Sequence, residues 1–110
     1  MHELGIVEQL LEIVTERCGG AAVHKIVMEV GMLSAVLPEA LMFCFDVARE
    51  GTVADQATLE IISIPGRASC QKCQATFSLT KPYGRCECGC SDLDWQTGDE
   101  LKIREVELRA

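Results

Sequence analysis

Apolar residues recur with helical spacing in two stretches of this chain. The first runs from Leu4 to Cys18 and stops at Gly19-Gly20, and the second follows Ser34 and Pro38 and stops at Gly51. An apolar stripe that repeats every three to four residues is typical of a helix packed on a core, and glycine commonly ends such a helix. We therefore predict two amphipathic helices.

Two further stretches alternate between apolar and polar residues, which is the pattern of a strand with one buried face. Val23 to Leu33 alternates in this way and places His24 on the apolar face as a packed or edge histidine, while Lys25 lies opposite. Ala57 to Ile64 forms the second such stretch and is closed by Pro65-Gly66. We expect a strand at each place.

The C-terminal stretch changes parity partway along. Leu101 and Ile103 share one parity and Val106 and Leu108 share the other, so a strand here needs a β-bulge near Arg104-Glu105. An isolated strand of this length is not stable, and we expect it to return to the sheet of the first half. The predicted fold class is α+β. It comprises a small sheet of about three strands with two helices (1–66 with 99–110), and an inserted zinc-ribbon or rubredoxin-knuckle-like module (67–98).

The inserted stretch holds five of the seven cysteines, in the spacing C-x2-C-x12-C-x-C-x-C. Two close pairs of thiolates joined by a loop are the usual donors for tetrahedral Zn²⁺, and a closed shell of four sulfurs suits a structural ion. Cys70 and Cys73 form the first pair, whereas the second pair comes from Cys86, Cys88 and Cys90. Cys88 stands before Gly89, as in the second half of a knuckle, and Cys90 is either a neighbour or a substitute for Cys86 or Cys88. Cys18 and Cys44 lie on apolar helix faces, where small buried cysteines are expected.

Charge and composition narrow the function classes. The net charge is −7, and residues 1–66 hold ten acidic side chains against three basic ones, so the basic stripe needed for nucleic-acid binding is missing. No apolar run is long enough for a membrane span, and the N-terminus lacks the pattern of a secretory signal. We expect a cytoplasmic protein, in whose reducing surroundings paired cysteines bind metal rather than form disulfides.

A second candidate metal site lies at the N-terminus. The amine of Met1, the amide and imidazole of His2 and the carboxylate of Glu3 form a short chelate. Such a nitrogen-rich set favours Ni²⁺ or Cu²⁺ over tetrahedral Zn²⁺. Because a histidine near a terminus is usually just solvated, the residues alone leave both interpretations open.

Over essentially its whole length the chain resembles the HypA/HybF family of hydrogenase maturation factors, which are nickel metallochaperones. The likeness rests on Met1-His2-Glu3, Val30-Gly31, Phe43-Cys44-Phe45-Asp46, Cys70-x2-Cys73, the second cysteine cluster and Gly98-Asp99-Glu100-Leu101-x-Ile103. It implies nickel binding by His2, with Glu3 and Met1 contributing. It also implies zinc binding by two pairs of cysteines, which are Cys70 and Cys73, and Cys86 and Cys88. The second pair is one residue shorter than the family's C-x2-C, and Cys90 stands where the family commonly has serine, so we assign Cys90 as the spare thiol.

The resemblance further implies that Ni²⁺ is cargo and that Zn²⁺ is structural. The expected partners are the maturation GTPase HypB and the precursor of the [NiFe] hydrogenase large subunit, and a homodimer is compatible with this role. A carrier performs no turnover, and the sequence has no phosphate loop, nucleophile elbow or HExxH pattern that would indicate an enzyme. Two alternatives stay open at this point: a zinc-ribbon interaction module without nickel transfer, and a rubredoxin-like electron carrier.

Overall fold

The structure is a computed structural model that describes residues 2–81 and 83–109. His2 enters this description only as the first residue of a helix. Within these residues two helices and six strands follow in the order α1 His2–Arg17, β1 Val23–Gly31, α2 Pro38–Ala48, β2 Thr58–Ile64, β3 Gly66–Cys70, β4 Thr76–Leu79, β5 Leu93–Thr97 and β6 Leu101–Leu108.

The first sheet has the strand order β2-β1-β6. β1 and β2 are parallel, with α2 in the connection between them, whereas β6 runs antiparallel to β1. A parallel pair needs such a long crossover, and a helix usually supplies it. The last strand thus returns to the sheet of the first half, as the sequence predicts, and the α+β class is confirmed.

The predicted bulge lies in β6. Val27 pairs with Glu105 and Met28 pairs with Ile103, so Arg104 is the extra residue between them. This one insertion lets Ile103 and Val106 both pack against the core despite their different parity. The change of parity was therefore a reliable signal of the bulge.

Both helices pack against one face of the first sheet and form the main core. Fully buried side chains there include Phe45 and Leu41 of α2, Val7 and Val14 of α1, and Ile26 of β1. Cys44 is buried in this core and Cys18 packs against it, which confirms the prediction for these two thiols.

The prediction for His24 is wrong. The histidine is exposed, because β1 itself has a register shift between Val23 and Lys25 that turns it away from the apolar face. The predicted entry of α2 is right at Pro38, where the helix begins, with Leu37 as an N-cap that makes no side-chain hydrogen bond. Ser34 lies before the helix, and its hydroxyl donates to the Gly31 carbonyl at 2.7 Å.

The second sheet, with the order β4-β3-β5, is formed from residues 66–97. β4 contains the predicted segment Phe77-Ser78-Leu79, but the sequence pattern predicts neither β3 nor β5. Its small core consists of Leu33, Ala68 and Leu79, with Phe77 and Leu93 packed beside them. A core of this size contributes little stability alone, so the second sheet depends on an additional cross-link.

Glycines allow the two sheets to meet. The Gly31 amide donates to Glu100 O and the Leu33 amide donates to Gly98 O, both at 2.7 Å. A Cβ on Gly31 would overlap the Gly98 carbonyl, and a Cβ on Gly98, whose φ is +111°, would lie 2.7 Å from Gly66 Cα. Only glycine permits this approach of three backbone segments.

None of the helices in residues 2–81 and 83–109 combines the length and apolarity needed to cross a bilayer.

We expect Gly31→Ala to destabilise the fold by about 2–3 kcal/mol, because backbone atoms rather than a flexible side chain block the added methyl group. Gly5→Ala is the matched control. Gly5 is exposed within α1 with nothing near its Cβ position, so alanine there should add up to about 1 kcal/mol of stability. Urea unfolding followed by circular dichroism compares the two variants, and equal shifts would refute the proposed overlap.

Candidate metal centre

Four thiols converge at one end of the second sheet. Cys70 ends β3, Cys73 follows it in a turn, and Cys86 and Cys88 come from the loop before β5. Their sulfur atoms all lie within 4.8 Å of one another. Cys70 and Cys86 are buried, whereas Cys73 and Cys88 face solvent. The four cysteines assigned from the sequence are thus together in space.

The spacing of these sulfur atoms fits a tetrahedral ion. Cys70 Sγ lies 3.6 Å from Cys88 Sγ, and Cys73 Sγ lies 3.4 Å from Cys86 Sγ. A Zn–S bond of about 2.3 Å implies about 3.8 Å between sulfurs in a tetrahedron. Small movements of the side chains would therefore close the shell around Zn²⁺.

The first pair has the geometry of a metal knuckle. The amides of Lys72 and Cys73 point to Cys70 Sγ at 3.4 and 3.5 Å, and the Gln74 amide donates to Cys70 O at 2.8 Å. The Cys73 amide lowers the pKa of Cys70 to about 6 against the opposing effect of burial, with help from the Lys72 amide and the thiol of Cys88. This lowered pKa favours the thiolate form of Cys70 at neutral pH.

The second pair is one residue shorter, and its backbone is arranged differently. The loop is closed by Gly89 N–H donating to Cys86 O at 2.8 Å and by Cys86 N–H donating to Cys90 O at 2.9 Å. The Cys88 amide favours the Cys86 thiolate, yet the facing Cys73 sulfur and burial outweigh it and raise the pKa of Cys86. The C-x-C pair thus reaches the site with one backbone amide acting on the Cys86 sulfur, whereas two amides point to the sulfur of Cys70.

The pKa of Cys88 indicates that the four-thiol cluster requires a cation. The Cys90 amide favours its thiolate, but the neighbouring sulfurs of Cys70 and Cys86 outweigh that effect and raise the pKa of Cys88 to about 12. Four negative sulfurs cannot share this volume unless a cation neutralises them. The donor set thus fits a soft divalent ion such as Zn²⁺.

Cys90 lies outside the four-sulfur group. Its Sγ accepts the Asp92 amide at 3.4 Å, and its carbonyl accepts the Cys86 amide. In this position Cys90 supports the loop through its backbone, while the group within 4.8 Å consists of the other four thiols of the inserted stretch.

Gln74 shapes the site, but the sequence pattern does not identify it. The residue after each cysteine pair adopts a left-handed backbone conformation: Gln74, with φ +63°, follows the first pair, and Gly89, with φ +91°, follows the second. Glycine is the usual choice for such a position. Because the first pair is followed by glutamine, the residue type does not indicate a left-handed conformation there. The position directly after the C-x2-C pair, which corresponds to Gly89 after the second pair, could have indicated it.

The predicted nickel site is only partly within the described residues. Met1 and the His2 side chain lie outside them. Glu3 lies in the first turn of α1, and its Oε2 accepts the amide of Leu37 at 3.5 Å, just before α2 begins. The carboxylate therefore links the start of α1 to the start of α2.

Two small sheets, one carrying two helices and the other a four-thiol knuckle, define a small metal-binding protein. The family model described as "Hydrogenase/urease nickel incorporation, metallochaperone, hypA" matches residues 1–108. The chain belongs to this HypA family, which confirms the resemblance seen in the sequence.

Curated relatives share this assignment. The chain is 50% identical over 108 residues to the hydrogenase maturation factor HypA of Trichormus variabilis, covering 98% of this chain and 96% of the relative. It is 44% identical over 112 residues to the HypA of Rhizobium leguminosarum bv. viciae, covering 98% and 99%. The similarity thus extends over nearly the whole of each protein.

Solved structures support the fold. The solution structure of the Ni metallochaperone HypA from Helicobacter pylori aligns with a TM-score of 0.67 at 24% identity, covering 98% of this chain and 97% of that one. Another solution structure of a HypA protein aligns with the same TM-score at 25% identity, covering 99% and 97%. These structures support the fold, while the family match and the curated relatives make the chain a metallochaperone, a maturation factor rather than an enzyme.

Zinc content should separate the two candidate fourth ligands. We expect Cys88→Ser to lose its zinc, because it removes one of the four converging sulfurs, and Cys90→Ser to keep about one ion per chain. Elemental analysis of the purified variants measures this directly. Zinc loss confined to the Cys90 variant would show that the shell uses Cys86 and Cys90 instead.

Backbone strain beside the thiols should change zinc affinity in opposite directions. Gly89→Ala adds a left-handed alanine at a cost of about 1 kcal/mol, which weakens binding roughly fivefold, and Gln74→Gly removes a similar cost. Competition with a chelator measures both. Gly51→Ala is the control, since Gly51 has φ +75° and free space at Cβ but lies in the loop after α2, outside the residues that hold the thiols. If Gly51→Ala weakens zinc binding as much as Gly89→Ala, the effect is not local.

Proposed function

We propose that this protein carries Ni²⁺ at its N-terminus and delivers it during maturation of a [NiFe] hydrogenase, with Zn²⁺ held by Cys70, Cys73, Cys86 and Cys88. The observation that carries the proposal is the family match over residues 1–108, which includes the N-terminal segment and both cysteine pairs. The family description names hydrogenase and urease, and the names of the curated relatives favour hydrogenase.

The proposed nickel ligands are the amine of Met1, the amide and imidazole of His2 and the carboxylate of Glu3. Since α1 begins at His2, the amides of its first turn have no acceptor within the helix. The His2 amide is thus available to lose its proton to a bound metal without breaking the helix. A nitrogen-rich set of this kind suits Ni²⁺ better than Zn²⁺.

Glu3 is an adjacent contributor rather than the anchor. One of its carboxylate oxygens already accepts the Leu37 amide at a long 3.5 Å. The other carboxylate oxygen remains available to a metal ion. A carboxylate that binds both the start of a helix and a cation fixes their positions relative to each other. This connection would hold the nickel site against the start of α2.

The two metal sites have different tasks in this proposal. The zinc shell is closed by four sulfurs, so it has no open position for exchange and serves stability. The terminal chelate can release its donors one at a time, which suits transfer. The corresponding domains are residues 1–66 with 99–110 for nickel and residues 67–98 for zinc.

The proposed partners follow from the family role. They are the maturation GTPase HypB and the precursor of the hydrogenase large subunit, in the cytoplasm. The acidic first domain, with ten acidic side chains in residues 1–66, would attract cations and basic partner surfaces.

Nickel titration of the untagged protein tests the carrier proposal. His2→Ala should weaken nickel binding by at least about tenfold, because it removes a nitrogen donor from the chelate. The matched control is His24→Ala, since His24 is the only other histidine of the chain and is exposed on β1. Calorimetry measures both variants, with zinc content as a check on the fold. Equal affinities for His2→Ala and the parent would refute the proposed nickel site.

A further inference from the structure

The fifth cysteine of the inserted stretch is a close neighbour of the four-thiol site. Cys90 is half-buried and belongs to the same loop as Cys86 and Cys88, two of the four converging thiols. The Cys86 amide donates to the Cys90 carbonyl at 2.9 Å, so these two residues lie opposite each other where the loop closes. Cys90 thus lies beside a residue whose sulfur belongs to the site.

The chain that follows Cys90 is held against the first cysteine pair. The amide of Gln71, directly after Cys70, donates to the Asp92 carbonyl at 3.0 Å. The backbone around Cys90 is therefore fixed at two places, at Cys86 and at the residue after Cys70. Neither of these bonds involves the Cys90 side chain, so that side chain can turn without opening the loop.

The sulfur of Cys90 has the backbone environment of a metal ligand. In the first pair the amide of Lys72, two residues after Cys70, points to the Cys70 sulfur at 3.4 Å. The amide of Asp92, two residues after Cys90, points to the Cys90 sulfur at the same distance of 3.4 Å. Amides directed in this way stabilise the negative charge of a thiolate.

The same contact recurs at every cysteine of the second cluster. The Cys88 amide favours the thiolate of Cys86, and the Cys90 amide favours the thiolate of Cys88. Each of the three sulfurs thus has the amide of the residue two positions later acting on it. Because the cysteines also repeat every two residues, Cys88-x-Cys90 has the spacing and the amide contacts of Cys86-x-Cys88.

We propose that Cys90 is a reserve ligand of the zinc site, which takes the place of Cys86 while Cys70, Cys73 and Cys88 remain bound. The site then has two ligand sets. One uses Cys86-x-Cys88, which is the set that the structure brings together, and the other uses Cys88-x-Cys90. This inference rests on the zinc site of the proposed function and does not depend on nickel.

The backbone between Cys88 and Cys90 allows the exchange. Gly89 has φ +91°, and nothing lies within 4 Å of the position of a Cβ there. Because glycine adopts many backbone conformations, the direction of Cys90 relative to Cys88 can change locally. The Cys90 sulfur gives up only its contact with the Asp92 amide, and sulfur is a weak acceptor.

A reserve ligand protects the cross-link on which the second sheet depends. An ordinary shell of four thiolates is incomplete as soon as one thiol is lost. Here another thiol of the same loop is present at a high effective concentration and completes the shell again. The site should therefore tolerate the loss of either Cys86 or Cys90, but not the loss of Cys70, Cys73 or Cys88.

Serine variants of the full-length, untagged protein test the two ligand sets. Cys86→Ser should keep about one zinc ion per chain, bound roughly tenfold more weakly than in the parent, because Cys90 completes the shell. Cys86→Ser combined with Cys90→Ser should lose its zinc. This double variant is the matched control, since it carries the same change at the buried position 86. Elemental analysis gives the zinc content, and competition with a chelator gives the affinity.

A second measurement uses the parent protein, because serine at the buried position 86 could prevent folding. Zinc-loaded protein is treated with a limiting amount of iodoacetamide. Native mass spectrometry selects chains that carry one label and one zinc ion, and peptide mapping locates the label. Within residues 67–98 we expect the label at Cys90 and at Cys86, and not at Cys73 or Cys88. Exposure alone would favour Cys73 and Cys88 over the buried Cys86.

Two results would overturn the reserve ligand while leaving the proposed four-thiol zinc site in place. The first is a label confined to Cys90 on the zinc-bearing chains of the parent. The second is a folded Cys86→Ser variant that holds no more zinc than the double variant, alongside a zinc-loaded parent. A parent that binds no zinc would instead refute the zinc site itself, and the reserve ligand with it.

Discussion

The pairing of β1 with β6 is the constraint on which the arrangement of the whole chain depends. It joins residues 23–30 to residues 101–108, so everything between β2 and β6 must leave the first sheet and return to it. Residues 66–97 do so as a second sheet whose buried core contains only Leu33, Ala68 and Leu79, with two further side chains packed beside it. Such a unit cannot bury enough apolar surface to be stable alone, and the convergence of four thiols supplies the missing cross-link.

A short segment connects the two proposed metal sites. Gly31 ends β1 at the meeting point of the sheets, Leu33 belongs to the core of the second sheet, and the Leu37 amide contacts Glu3 near the start of α1. Within seven residues the chain thus contacts both the zinc-bearing sheet and the helix that begins at His2. The close backbone contacts around Gly31 and Gly98 make the first part of this segment stiff.

Much of the fold could be predicted because the signals were local. Helical periodicity located α1 and α2, and the change of parity between Ile103 and Val106 located the bulge in β6. The predictions failed where a neighbouring strand decided the outcome. His24 follows the alternation of β1, yet the register against β6 turns it outward. β3 and β5 are five residues each, too short for a pattern, and exist because β3 pairs on both sides.

The candidate metal centre, too, could be predicted from the sequence only in part. By itself the sequence determined the chemistry: five cysteines in a stretch of twenty-one residues indicate a thiolate site for a soft cation, because donor type and spacing are properties of the chain. Only the tertiary structure decided which four sulfurs converge and that Cys90 contacts Asp92 instead. The Cys88 side chain points to the other three sulfurs, whereas the Cys90 side chain points to the Asp92 amide. Backbone hydrogen bonds of the folded loop set these two directions, and the spacing of cysteines in the sequence does not contain them.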